Sequence, residues 1–142
     1  TEKEDSIEIE NIGIFAPLVF IESEKEMKTA LNRGVVHFPG SALPGEMGLI
    51  IFEGHSAPAG WPKIRYDWVF SDLGKLENGD LIFLNFRGCK YKYKVLEKKI
   101  FQRGEEIPKN WGQGNESVLV LVSCWPPGKD IKRIAIKAVM EK

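Results

Sequence analysis

From Gly34 to its end the chain reads as a succession of short β-type runs separated by Gly and Pro, with no second helical pattern. Gly48 to Phe52 is a short apolar run that ends in Glu53-Gly54-His55. Asp80 to Phe86 is another, closed by an Arg87-Gly88 turn. Tyr91, Tyr93 and Val95 alternate with Lys92 and Lys94, as a half-buried strand requires, because successive side chains point to opposite faces. Ser117 to Val122 is apolar throughout after its first residue, which predicts a central strand covered on both faces. Ile134, Ile136, Ala138 and Met140 alternate once more. Upstream, Ile7 to Val19 is β-rich, with a turn near Gly13. The only helix signal is Ser23-Glu24-Lys25-Glu26, a capping box in which hydroxyl and carboxylate satisfy orphan amides of the first turn. Met27, Ala30 and Leu31 follow at helical spacing, and Gly34 is a fitting stop. Six or more strands with one helix predict a mostly β fold, closed or nearly closed into a barrel.

The 142 residues make one domain. Polar Thr1 to Ser6 read as a frayed leader, so the folded domain is expected over residues 7–142. Twenty Lys and Arg balance twenty Asp and Glu, mixed along the chain, which gives no electrostatic footprint for nucleic acid or an anionic membrane. No apolar run reaches the ~18 residues of a membrane span. Because the sequence starts at Thr1, processing or truncation upstream is expected, and the absence of a targeting segment says little about location.

The two cysteines, Cys89 and Cys124, fit no metal spacing; either they form one disulfide or one of them is a reactive thiol. Cys124 stands at the end of the apolar strand, where Trp125-Pro126-Pro127-Gly128 stops it, since Pro cannot donate to a ladder. The chain returns as a strand from Arg133. Antiparallel pairing of these two strands would set Cys124 and Arg133 at the mouth of one hairpin. There a guanidinium favours thiolate and can donate to an oxyanion. His55 also follows a strand end, and a thiol that titrates near about 8.5 needs such a base or imidazolium to react at neutral pH.

Leu119-Val120-Leu121-Val122-Ser123-Cys124, then Trp125-Pro126-Pro127-Gly128 and Lys132-Arg133-Ile134-Ala135-Ile136, resemble the Cys-x-Pro-x-Gly…Arg ending of sortases of classes C to E. His37-Phe38-Pro39-Gly40-Ser41-Ala42-Leu43-Pro44-Gly45-Glu46 and Gly54-His55-Ser56 are similar to the segment that carries that family's histidine. Leu76-Glu77-Asn78-Gly79-Asp80 is similar to its L-x-x-G-D motif. The resemblance runs from about Ile9 to Ala138 with the motifs in the family's order. It implies an eight-stranded closed β-barrel with one or two short helices and a catalytic Cys124–His55–Arg133 site. In that family the thiolate attacks the carbonyl after the Thr of a C-terminal LPxTG-like sorting motif of a surface protein or pilin. A thioester forms, and an amine from a cell-wall precursor or a pilin Lys resolves it. His55 would then exchange protons with the two amines, and Arg133 would bind substrate and oxyanion. The resemblance also implies a cell-surface location, on the extracytoplasmic face of a bacterial membrane, through an anchor upstream of this sequence.

Ser123 stands where Thr is commoner and keeps a hydroxyl for substrate. Ser56 and Trp125 are further candidate substrate-binding residues, Trp125 as a groove wall. Substrate-selecting loops are expected at 103–115 and 57–67. No acidic cluster matches the calcium site of some class A members, and no cofactor or metal is expected. Cys89 is expected to be a small buried hydrophobe. His37 is expected to be structural, with a weaker reading as alternate base. Two other functions compete. A cysteine peptidase of another lineage is disfavoured, because the His…Cys order excludes a papain-like arrangement and the Gln-Ala-Cys signature is absent. A non-catalytic extracellular β-barrel binding module would need no reactive thiol.

Overall fold

The computed structural model describes residues 5–58, 60–62, 66–112 and 114–141. Its eight strands are β1 (Ser6–Ile9), β2 (Ile14–Phe20), β3 (Val35–His37), β4 (Gly48–Glu53), β5 (Leu81–Phe86), β6 (Cys89–Gln102), β7 (Ser117–Trp125) and β8 (Lys132–Met140). They close in the order β1-β2-β3-β4-β7-β8-β6-β5, with β5 returning to pair β1, so the expected barrel is complete. Closure leaves no free sheet edge. Two pairs are parallel, β2 with β3 and β4 with β7. The first parallel pair is bridged by the helical segment, a 3-10 turn (Glu24–Glu26) running into α1 (Met27–Ala30), and the capping box closes on Ser23 as expected. Ala30 buries against Ile21 and Val36 on the outside of the barrel.

The alternating strands sort as their period demands. Tyr93 and Val95 point into the barrel with Ile82, Leu84, Ile134 and Ile136. Lys92 and Lys94 stay outside, each within 3.5 Å of Glu141. The apolar strand β7 is covered on both faces for a visible reason. Leu119 and Leu121 enter the barrel core, whereas Val118 and Val120 lie outside beneath Trp111 and Phe101. Trp111 belongs to a 3-10 turn (Lys109–Gly112) of the long β6–β7 connection.

Inside the barrel the Tyr93 hydroxyl is 2.8 Å from Ser117 Oγ and accepts from the Gly45 amide at 3.0 Å. Tyr93→Phe strands both partners. Chemical denaturation is expected to show a loss of about 1–3 kcal/mol, the scale for an unsatisfied buried polar group.

Three expectations change. Ser6, expected in the leader, opens β1 and is buried, and the Asp5 carbonyl accepts from the Leu18 amide at 3.0 Å. Residues 1–4 lie outside the described residues. Strand β7 runs through Cys124 and includes Trp125, the first of the residues expected to stop it, because both still pair with β8. Cys89 is exposed, not buried. It starts β6 opposite Phe86, beyond the end of the core that Tyr93 and Val95 fill. It is also remote from Cys124: the Cys124 level of β6 is Phe101, reached through Arg133, about 40 Å of strand from Cys89 at ~3.3 Å per residue. Both thiols are free.

Candidate active site

Strand pairing decides which side chains meet. Cys124 and Arg133 are direct partners in the antiparallel β7–β8 ladder. Strand β4 runs parallel to β7 with Glu53 opposite Val122, and the Gly54 amide extends the ladder to the Val122 carbonyl at 3.1 Å. His55 lies two residues beyond Glu53 and Cys124 two beyond Val122, so both arrive at the same level of the barrel rim. All three residues line one cavity of about 640 Å³. Its floor is the outward face of the sheet, with Leu49, Ile51, Val122 and Ala135, and its far wall carries Phe101 and Ile107. The cavity thus runs as a groove along the sheet and ends on the thiol.

The local sequence fixes His55 from both sides. Its carbonyl accepts from the Phe70 amide at 2.8 Å, and Gly54 lets the Phe70 ring press on the backbone: a Cβ at Gly54 would sit 2.5 Å from Phe70 Cδ2. Ser123 is buried and donates to the Gly54 carbonyl at 2.7 Å, stapling the residue before Cys124 to the residue before His55. Ser123 also lines the groove, its hydroxyl proton committed to the Gly54 carbonyl. Ser56 has internal partners as well. It donates to the Cys124 carbonyl at 3.3 Å and accepts from the Gly128 amide at 2.9 Å, tying down the β7–β8 connection. Gly128 there has φ 77° and touches Pro58 so closely that a Cβ would fall 2.3 Å from Pro58 Cδ. Trp125 turns away from the groove. It packs on Gly74 and lines a separate cavity of about 500 Å³ with Trp68 and Trp61.

Of the expected substrate loops, 103–115 contributes Glu105, Glu106 and Ile107 to the groove. Segment 57–67 contributes Ala57, Pro58, Gly60 and Trp61 to the Trp125 cavity, while residues 59 and 63–65 lie outside the described residues. His37 pairs with Phe52 and so faces the barrel interior, not the groove. Its Nε2 lies 2.8 Å from the Ala42 carbonyl and 3.0 Å from Ser41 Oγ, and its ring packs on Phe20 and Phe52. That is a structural role. Among the described residues no three His, Cys, Asp or Glu side chains converge as metal ligands.

Two further charged residues belong to the site, and the sequence alone did not point to them. Arg133 Nη1 donates to Asp130 Oδ1 at 2.8 Å and to the Lys132 carbonyl at 2.9 Å, and Arg103 Nε reaches the same Asp130 oxygen at 3.5 Å. The hydrogen bond from Arg133 holds the Asp130 carboxyl below its usual range. Glu53 ends β4 inside the groove, where burial pushes its carboxyl up; Arg133 opposes the shift and Glu24 adds to it. The spacing of Asp130 three residues before Arg133 and the outward parity of Glu53 with Leu49 and Ile51 were the available signals.

Burial is also the first influence on Cys124 and pushes its thiol up; Arg133 pulls it down, while Asp130 and Glu53 push it further up. The sign of each charge gives a measurable profile. Alkylation of Cys124 by iodoacetamide is expected to rise with pH through a midpoint above the ordinary thiol value of about 8.5. Arg133→Ala moves that midpoint up, and Asp130→Asn moves it down. A midpoint below that of a free thiol, read by mass spectrometry at Cys124, would contradict this balance of burial and charge.

The family model described as Sortase domain matches residues 7–141. Sortase D of Bacillus subtilis (strain 168) is 28% identical over 120 residues, covering 84% of this chain and 53% of that protein. The chain thus spans about half the length of the curated relative it matches. Among solved structures, sortase A from Corynebacterium diphtheriae superposes with a TM-score of 0.80 at 23% identity, over 98% of this chain and 60% of that one. Sortase C1 from Streptococcus suis gives 0.80 at 22%, over 99% and 74%. Sortase C of Streptococcus pneumoniae gives 0.81 at 20%, over 100% and 70%. These likenesses establish the fold.

Proposed function

The chain belongs to the sortase family, and on that premise we propose that the barrel, from β1 at Ser6 onward, is the catalytic domain of a cysteine transpeptidase. The observation that carries the reading is the facing pair Cys124 and Arg133 at the end of a groove that His55 also lines. The substrate is a surface protein or pilin with a C-terminal LPxTG-like sorting motif. Its chain lies in the groove, and the Cys124 thiolate attacks the carbonyl at the cleavage site. Arg133 donates to the oxygen on which negative charge develops, where a donor already held in place by Asp130 stabilises the transition state without reorganisation. His55 protonates the leaving amine, and the acyl group stays on sulfur as a thioester. An incoming amine, from a cell-wall precursor or a pilin Lys, loses its proton to His55 and takes the acyl group. Transfer rather than hydrolysis requires that amine to outcompete water at the thioester.

In this proposal the domain works on the extracytoplasmic face of a bacterial membrane, held by an anchor that lies outside the 142 residues. Among the described residues no helix is long and apolar enough to cross a membrane. Ser123 and Ser56 act by positioning the two strand ends, and Trp125 by packing the β7–β8 connection.

The test is to trap the acyl-enzyme. Purified protein mixed with a Leu-Pro-x-Thr-Gly peptide is expected to gain the mass of the acyl fragment at Cys124, and to release it onto added triglycine. Absence of any adduct at Cys124 across a library of sorting-type peptides would reject the reading in favour of a binding module.

A further inference from the structure

Glu53 takes no part in the transpeptidation steps, yet its side chain lies in the same groove as Cys124. It ends β4 on the outward face, beside Val122, and is half-buried among Leu49, Ile51 and Val122. Among the described residues no hydrogen bond or ion pair engages its carboxylate. Arg133, the cation whose charge acts on Glu53, already has Nη1 committed to Asp130 and to the Lys132 carbonyl. A carboxylate that is partly desolvated and has no protein partner is less favourable than one in open water, and such groups concentrate where a ligand supplies the partner. Burial outweighs the opposing charge of Arg133 at this point, and Glu24 adds a smaller like-charge contribution.

We propose that Glu53 is a specificity-determining residue that selects substrates bearing a Lys or Arg side chain one or two residues before the residue that acylates Cys124. The position follows from register. Glu53 stands beside Val122, two residues short of Cys124 along β7, or about 6.6 Å at ~3.3 Å per residue. An extended peptide laid along the same strands covers that length in two residues. The proposal rests on the transpeptidase reading and names the substrate feature that its groove prefers. A cation at this point also neutralises one of the negative charges that oppose the Cys124 thiolate, so the matching substrate would raise the reactivity of the nucleophile it meets.

Binding is measured on the Cys124→Ala protein, which cannot turn over, with Leu-Pro-x-Thr-Gly peptides at low ionic strength. Lys, Ala or Glu is placed at x in one series and in place of the preceding Pro in a second. The Lys peptide of one of these two series is expected to bind about tenfold tighter than its Glu counterpart, a difference near 1.4 kcal/mol. The preference should vanish in Glu53→Gln and reverse in Glu53→Lys, with both variants checked for unchanged thermal melting. Equal affinities across both series, a preference that survives Glu53→Gln, or no binding of any peptide would overturn the inference. Thioester formation by the Cys124-containing protein with the Ala peptide is scored separately. Acylation without charge preference rejects only the role of Glu53; charge-selective binding without acylation rejects only the transpeptidase reading.

Discussion

Cys124→Ala is expected to remove peptide acylation altogether, whereas Cys89→Ser should leave it within about twofold of the starting protein. The contrast follows from where the two thiols sit. Cys124 faces Arg133 at the end of the groove, and Cys89 is exposed at the other end of β6. Loss of a covalent nucleophile costs roughly four to six orders of magnitude in turnover, because no second group can form the acyl-enzyme. The Cys124 side chain is only half-buried, so a smaller side chain leaves little cavity, and the variant should melt close to the unmodified protein. Intact-mass analysis with a sorting-type peptide and a triglycine acceptor reads both variants in one experiment. Equal losses in Cys124→Ala and Cys89→Ser would break the assignment of the nucleophile.

Replacing Arg133 with Lys is expected to lower kcat by about a hundredfold with little change in KM, the signature of a contact made mainly in the transition state. The local geometry explains why a retained charge is not enough. One guanidinium nitrogen is fixed by Asp130 at 2.8 Å and the Lys132 carbonyl at 2.9 Å, and the planar group then aims its other donors. An ammonium held by Asp130 has no such fork. The charge survives in Arg133→Lys, so the alkylation midpoint of Cys124 should barely move, while Arg133→Ala should shift it up. Turnover by Arg133→Lys at the level of the unmodified protein would exclude the oxyanion role.

Much of this fold is written in local patterns. Alternation at Tyr91–Val95 and Ile134–Met140 marks two strands and their inward faces, because each side of those strands has a single environment. The three-residue strand β3 is too short to show a period, and its place between β2 and β4 depends on partners far away in the chain. The pairing of Cys124 with Arg133 is readable because the hairpin between them is short. What Ser123, Ser56 and Trp125 do is not readable, since each is decided by a contact with another segment: Gly54, Gly128 and Gly74 respectively. Residue type made them candidates for substrate contact; packing gives each an internal partner as well, with Ser123 in the groove and Trp125 in the neighbouring cavity. Asp130 and Glu53 go unnoticed in the sequence for the opposite reason. A charged residue in a loop or at a strand end looks like solvated surface until the groove around it is known.

The parallel pairing of β4 with β7 has a kinetic side. His55 and Cys124 stand 69 positions apart, and the two strands become neighbours only after the intervening β5 and β6 have been set aside on the other flank of the barrel. Contacts between such distant segments form late, since the entropy of closing the long loop must be met before they stabilise anything. A partly folded chain would therefore carry a thiol without its imidazole neighbour. Competence and closure of the barrel should arrive together, so recovery of Cys124 acylation during refolding should track the slowest structural phase and run ahead of none.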